Sequence, residues 1–196
     1  DISFICVATP SRTDGCIDTS MVKDAAERLS RVVKKKGHVV AVKSTVIPGT
    51  TEEIVAPLFK NVAVNPEFLR EGAAIHDFMY PDRIVIGSIN KRSGDVIASL
   101  YKKLRAPIIR ADLRTAEMIK YASNAFLATK ISFSNEIGNM CKTLGIDTYK
   151  VMEGVGLDKR IGSPFLRSGA GFGGSCFPKD LRALVCKARE IGYEPK

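Results

Sequence analysis

HVVAVKSTVIPGTTEEIVAPLFKNVAVN, residues 38–65, carries the reading of the fold. Its two ends, His38 to Lys43 and Asn61 to Asn65, are short apolar runs rich in β-branched residues, the pattern of buried strands. Between them Ser44 to Thr51, with Pro48-Gly49 at its centre, leads into a short helix. Working outward, Ile2 to Ala8 (ISFICVA) is a further buried strand closed by Thr9-Pro10-Ser11. A helix is predicted from Thr19 or Ser20 to Lys36, with Gly37 as its stop. Arg83 with IVIGS is a fourth strand, a helix follows from about Ser93 to Leu104, and an extended piece lies near Pro107-Ile108-Ile109. Strands alternating with helices predict an α/β fold, a partial doubly wound, Rossmann-like parallel sheet over residues 1–111.

From Asp112 to Leu144 the period changes. Ile119, Ala122, Phe126, Phe133, Ile137, Met140 and Leu144 recur at helical spacings, predicting one helix on the order of 50 Å long. A helix of that length joins domains or builds a dimer core. Gly145 closes it, Asp147 starts a short helix, and a loop from about Gly156 to Phe177 leads to a final helix fading at Gly192-Tyr193. Residues 112–196 therefore read as an all-helical region in which the long helix either joins domains or builds a dimer core.

With 45% hydrophobic and 26% charged residues among 196, the composition is that of an ordinary globular chain. It holds no apolar run of about 18 residues and no signal-peptide pattern, so no membrane partner and a cytoplasmic setting are expected. The five cysteines are odd in number, lack CxxC spacing and accompany only two histidines, His38 and His76, which argues against a metal site and against a disulfide framework. His76, beside Asp77, is read as structural. The net charge of +9 has its densest run in Lys34-Lys35-Lys36, at the end of a predicted helix where cations suit the dipole. Other basic residues are scattered without an aromatic array, so nucleic acid is not an expected partner and a phosphorylated substrate fits better.

Gly169 to Asp180 reads GAGFGGSCFPKD. Gly169, Gly171, Gly173 and Gly174 allow positive φ angles and close approach of backbone to a ligand. They follow a loop rather than a strand and so fail the context of a dinucleotide fingerprint. Cys176 precedes Phe177-Pro178-Lys179-Asp180, an ordinary helix start. A thiol there, with Lys179 close in sequence, is expected to favour the thiolate and to be the reactive cysteine.

Beside Asn65-Pro66-Glu67-Phe68-Leu69-Arg70-Glu71-Gly72 and Glu117-Met118-Ile119-Lys120-Tyr121-Ala122-Ser123-Asn124-Ala125-Phe126, that loop completes a pattern: the chain closely resembles the nucleotide-sugar 6-dehydrogenases, the UDP-glucose/GDP-mannose dehydrogenase family. The resemblance runs from VATPS through KSTVIPGTT, NPEFLREG, PDRIVIG and AEMIKYASNAFLATKISFSNEIGNMCK to GFGGSCFPKDLRAL. Phe177, HDFMYPDRIVIG and GLDKRIG look more like the UDP-glucose branch than the GDP-mannose branch. Family members open with a GxGxxG turn and finish with a domain covering the uridine nucleotide. The resemblance therefore implies a central segment: the second part of the NAD domain over 1–111, and the helical dimerisation domain with its cysteine loop over 112–196.

The resemblance implies oxidation of the C6 alcohol of UDP-glucose to a carboxylate in two NAD-dependent steps, through a thiohemiacetal and a thioester on Cys176. Lys120 and Asn124 share a helix face and are implied as the pair that stabilises the C6 oxyanion. Asp180 is either an acid of a helix N-terminus or, by the resemblance, a partner of Lys120 or of the hydrolytic water. Glu67, with Thr45, is implied to hold a water that accepts or delivers protons, and Glu71 to lie near the nicotinamide; two acids in one site can also share a proton. Val7, Thr9, Pro10, Ser44, Thr45, Glu71, Cys176 and Lys179 match cofactor-side positions. Glu67, Phe68, Leu69, Arg70, Glu71, Lys120, Asn124, Arg160, Arg167, Ser168, Gly169, Ala170, Gly171, Phe172 and Gly173 match substrate positions, and a homodimer through the long helix is implied. Three alternatives stay open: another nucleotide sugar such as GDP-mannose, a dimerisation core without a working site, and a β-hydroxyacid dehydrogenase, which gives no reason for Cys176.

Overall fold

Five short runs of β-branched and apolar residues pair into one sheet in the computed structural model, which describes residues 1–195. The strands are β1 (Ile2–Ile5), β2 (Val39–Val42), β3 (Val62–Val64), β4 (Ile84–Ser88) and β5 (Ile108–Ala111), side by side in chain order. The helices are α1 (Ser20–Val32), α2 (Ala74–Met79), α3 (Lys91–Leu100), α4 (Leu113–Leu144), α5 (Thr148–Gly156) and α6 (Phe177–Glu190). They form two units, Asp1–Tyr121 with Ala183–Lys196, and Ala122–Arg182.

The first unit is layered. β2 and β3 are buried on both faces, which is why they read as unbroken apolar runs. Alternate residues nevertheless meet different layers. Val40, Val42, Val62, Val64 and Val85 pack with Val22 and Ala26 of α1 and with Leu113 and Ala116 of α4. Val39, Ala41, Ala63, Ile84 and Ile86 pack with Ile97, Ala98 and Tyr101 at α3. Each valine, leucine or isoleucine among them contributes about 1.5–3 kcal/mol when fully buried. Gly87 lets α4 approach the sheet: a Cβ there would lie 2.6 Å from the Ala116 Cβ and 2.7 Å from the Asp112 carbonyl oxygen.

Three expectations are corrected. The sheet is not parallel throughout: β4 runs against β3, with Val64 opposite Gly87, whereas the other neighbouring strands are parallel. The cause is the 65–83 connection, whose only helix, α2, has no buried residue and so does not cross a sheet face. The chain re-enters the sheet from the end at which it left. α1 stops at Val32 rather than Lys36, because Val33 turns extended (φ −76°, ψ 104°), leaving Lys34 and Lys35 past the helix end and Lys36 in the turn with Gly37. Finally, Cys16 and Cys186 form a disulfide, Cα atoms 5.3 Å apart, between the loop before α1 and the body of α6. It is a single bond between residues 170 apart, which no local spacing announces.

In the second unit α4 continues to Leu144, and Gly145 closes it at φ 67°. The Asp147 carboxylate accepts from the N–H groups of Tyr149 and Lys150, capping α5. The Lys130 ammonium donates to the carbonyls of Ile161 and Gly162, both at 3.1 Å, and holds the loop after α5. From Ala122 onward the buried positions of α4 are small or polar (Asn124, Ala128, Ser134, Cys141), while Phe126, Phe133, Met140 and Leu144 are exposed. No helix among the described residues is long and apolar enough to cross a membrane.

Candidate functional site

The carboxyl ends of β1, β2 and β3 converge on the residues that follow them, the place where open α/β sheets bind ligands. After β1, the buried Thr9 hydroxyl donates to the Thr45 carbonyl at 2.9 Å. After β2, the Ser44 hydroxyl donates to the Val7 carbonyl at 2.6 Å. These two bonds tie the loops together and leave half-buried Val7 and exposed Pro10 at their rim. After β3, Asn65 is an organiser. Its amide donates to the Val85 carbonyl at 2.9 Å, its Oδ1 accepts from the Tyr101 hydroxyl and from Lys43, and its backbone carbonyl accepts from Lys43 at 3.2 Å. Burial pushes the Lys43 ammonium below its ordinary value.

Glu67 follows at once. One of its oxygens meets the Lys120 ammonium at 3.0 Å and the other accepts from the Leu69 N–H at 2.6 Å. Lys120 is only 5% exposed, so removing Glu67 would leave a buried charge unpaired, a cost of about 3–5 kcal/mol. The Phe68 ring lies 5.2 Å from that ammonium and 4.0 Å from the Arg83 guanidinium. Leu69, Arg70 and Glu71 are exposed. Arg70 donates to Asp77 from its backbone N–H and its guanidinium, which holds the Asp77 carboxyl well below the usual range. His76 is exposed, its ring centroid 5.2 Å from that of Tyr80 and its Nδ1 3.6 Å from the Asp77 carboxylate.

In the second unit the polar pairs centre on Asp180, 2% exposed. Its carboxylate accepts from the Asn124 amide at 2.6 Å and pairs with Lys179 at 2.6 Å. Asp180 also donates its backbone N–H to the Cys176 carbonyl at 2.8 Å, so Cys176 stands at the first turn of α6. The thiol is exposed, with the Ser175 hydroxyl 3.7 Å away. Lys179 is committed to Asp180, not to the thiol.

Ahead of Cys176 the glycine run is open. A Cβ at Gly169, Gly173 or Gly174 would meet nothing within 4 Å; only Gly171 (φ 98°) and Gly174 (φ 77°) take positive φ. The Gly169 N–H donates to Asn135 at 2.7 Å, tying the loop's start to α4. Arg167, Ala170 and Gly173 are exposed, Ser168 and Phe172 half-buried. Arg160 forks onto Asp158 two residues away.

Residues 1–105 match the NAD binding domain of the UDP-glucose/GDP-mannose dehydrogenase family, and residues 114–196 match that family's central domain. The chain belongs to the UDP-glucose/GDP-mannose dehydrogenase family. UDP-glucose 6-dehydrogenase YwqF of Bacillus subtilis is 50% identical over 202 residues, 99% of this chain and 46% of the relative. A GDP-mannose 6-dehydrogenase of Pseudomonas syringae pv. tomato is 45% identical over 209 residues, 99% of this chain and 48% of the relative. Among solved structures, a UDP-glucose dehydrogenase from the hyperthermophilic archaeon Pyrobaculum islandicum superposes with a TM-score of 0.95 at 50% identity, over 99% of this chain and 47% of that one. The chain thus spans about half the length of the relatives it matches.

Lys43, Asn65, Tyr101 and Glu117 of this dehydrogenase-family chain were not singled out from the sequence. The Glu117 carboxylate, 2% exposed, accepts from the N–H groups of Gly49 at 2.7 Å and Thr51 at 2.9 Å, and burial lifts its pKa to about 7. One signal was present: an acid three residues before Lys120 puts a second ionisable group on the same side of a helix otherwise rich in apolar and small residues.

Proposed function

We propose that the protein to which this chain belongs oxidises the C6 hydroxyl of UDP-glucose to the carboxylate in two NAD-dependent steps in the cytoplasm. The observation that carries this reading is on α4: Lys120 and Asn124, one turn apart, are both buried and each is held by a carboxylate, Glu67 and Asp180 respectively. A buried ammonium and an orienting amide are a preorganised answer to negative charge on an oxygen.

The knitted loops after β1 and β2 fit a dinucleotide, since Val7, Pro10, Ser44 and Thr45 give apolar contact and polar groups at the carboxyl edge of parallel strands. Val7, Thr9, Pro10, Ser44 and Thr45 would hold NAD, with Glu71, Cys176 and Lys179 on its side of the substrate. When bound, NAD supplies the hydride acceptor for each oxidation.

Glu67, paired with Lys120, is suited to receive the proton leaving the C6 hydroxyl, directly or through a water at Thr45. Once the first C6 hydride has passed to the hydride acceptor, C6 is an aldehyde, and the Cys176 thiolate adds to its carbon; a C–S bond forms and the carbonyl π pair moves onto oxygen. Lys120 and Asn124 stabilise that oxygen. Loss of the C6 hydride collapses the thiohemiacetal to a thioester, and water breaks the C–S bond, giving the acid and returning the thiol. Asp180 keeps the Asn124 amide oriented throughout. Phe68 to Glu71 and Arg167 to Gly173 are the substrate-contacting stretches, the open glycine backbone being suited to a diphosphate and Arg160 to a phosphate. The exposed stripe of Phe126, Phe133, Met140 and Leu144 supports a homodimer through α4.

The test uses the full-length protein with UDP-glucose and NAD+ in single turnover, wild type against Cys176→Ser. A UDP-glucuronyl adduct on the Cys176 peptide, absent in the variant, is expected, with two NADH per acid in the steady state. Turnover of GDP-mannose but not UDP-glucose would overturn the substrate; adduct and turnover with neither would overturn the activity.

A further inference from the structure

The Glu117 carboxylate takes no part in the steps just described, yet it is among the most buried charged groups in the first unit. Its two oxygens are used separately, one on the Gly49 N–H and one on the Thr51 N–H, groups 68 and 66 residues away in the chain. Those donors sit where Ser44-Thr45-Val46-Ile47-Pro48-Gly49-Thr50 gives way to the wide helical turn Thr51–Val55, so their N–H groups have no helical partner of their own. Gly49 adopts φ 102°, and a Cβ there would come 2.9 Å from the Glu53 carboxylate; the loop is shaped to bring its backbone to this point. On the other side, Glu117 is rooted in α4 between Ala116, packed on Gly87 of β4, and Lys120, one turn onward.

We infer that Glu117 is a positioning residue for the proposed oxidation: by clamping the Gly49 and Thr51 amides it fixes the loop bearing Ser44 and Thr45 against the turn of α4 that bears Lys120. The inference rests on the activity proposed above. Thr45 cannot shift without disturbing the Thr9 bond to its carbonyl, so a loosened clamp moves the water-holding and cofactor-facing loop as one piece. Displacements of about 1 Å made far from the reacting atoms cost on the order of 100-fold in rate.

The clamp needs an acceptor at both oxygens. Protonation places an O–H on one of them, and that oxygen then faces an N–H as a poorer acceptor. The charged groups around Glu117 are Glu52 and Glu53 on the wide turn and Arg114 on α4, which pairs with both of them. Glu52 disfavours the charged carboxylate, as burial does, whereas the two N–H bonds favour it. With its pKa at about 7, the clamp is half protonated near neutrality.

The experiment compares full-length wild type with Glu117→Gln, which keeps the shape but presents one N–H-bearing end to an N–H, and with Glu117→Asp, which keeps the charge but withdraws it. For Glu117→Gln we expect kcat to fall about 30- to 100-fold while KM for sugar nucleotide and for NAD+ changes less than about threefold. Between pH 6 and 8 its kcat should lose the acid limb that wild type shows near pH 7, lying close to the wild-type acid plateau; Glu117→Asp should retain the limb. A Glu117→Gln enzyme with wild-type kcat and limb, or one whose kcat falls only in step with lost thermal stability, overturns the inference. Should the wild type oxidise no nucleotide sugar, the activity fails separately, and the clamp is judged by NMR. Gly49 and Thr51 amide shifts titrating together near pH 7, and moved by Glu117→Gln, support it; amides indifferent to pH and substitution refute it. The same readout decides if the variant is too unstable for kinetics, using wild type alone.

Discussion

Around Lys120, in the first unit, the polar side chains already have partners within the protein: Glu67 for the ammonium, Lys43 and Tyr101 for Asn65, two backbone amides for Glu117. Along Gly169 to Gly174, in the second, the backbone lies exposed and three of the four glycines have no neighbour that a Cβ would touch. Burial explains the contrast. A charge removed from water must be paired before any ligand arrives, whereas a stretch meant to take a charged ligand through backbone N–H groups is left open until it does. On the proposed function, proton handling would be preorganised and substrate contact supplied by a surface that a ligand completes.

The largest effect that would break this comparison is at Cys176, which is exposed and has no structural role to lose. Cys176→Ser should leave the thermal midpoint within about 2 °C while cutting acid formation at least about 10³-fold, read by product mass. If stability fell as well, the thiol would belong to the built side. Lys120→Ala comes next: about 10²–10³-fold in kcat from the lost cation, together with destabilisation, since Glu67 loses its partner. Asn124→Ala should match it in direction. Glu117 sharpens the contrast through stability. Its pKa is raised from an ordinary value near 4.5 to about 7, so the folded state binds this proton more tightly than the unfolded one. The associated stabilisation is complete below pH 4.5 and is lost as pH rises to about 7, in all about 3 kcal/mol. Denaturant titrations of wild type should therefore show that fall between pH 4.5 and 7, and Glu117→Gln should lack it. The smallest effect separates two adjacent glycines: Gly174→Ala, at φ 77°, should cost about 1 kcal/mol in unfolding free energy, and Gly173→Ala almost nothing while still raising KM for the nucleotide sugar.

How much of this the sequence disclosed follows from how local each feature is. The valine runs of β2 and β3 and the α4 period are local patterns, and the elements form where those patterns place them. The direction of β4 is not local. An apolar run such as IVIGS reads the same either way, and only the fate of residues 65–83 decides it. Among the candidate site residues, Lys120, Asn124, Cys176, Asp180 and Glu67 could be named because they stand in the motifs that carry the family resemblance. Their partners were less legible: Asp180 turns to Asn124 and Lys179, and Arg70 to Asp77, choices made by side-chain geometry. Glu117 and Asn65 stood inside quoted motifs and passed unnoticed, since a residue that holds backbone in place carries no chemical signature of its own.

The Cys16–Cys186 bond closes a covalent ring around 170 residues of separation, and the whole of the second unit, from Ala122 to Arg182, hangs within that ring. A protease that cuts once anywhere between the two cysteines opens a gap without freeing a fragment. On a gel run without reductant, the nicked protein should migrate as one species of full mass, and should separate into two pieces only when a thiol is added. Accidental scission in the exposed glycine loop would then leave Cys176 and α6 still tethered to the sheet, so that damage to the chain need not mean loss of its parts.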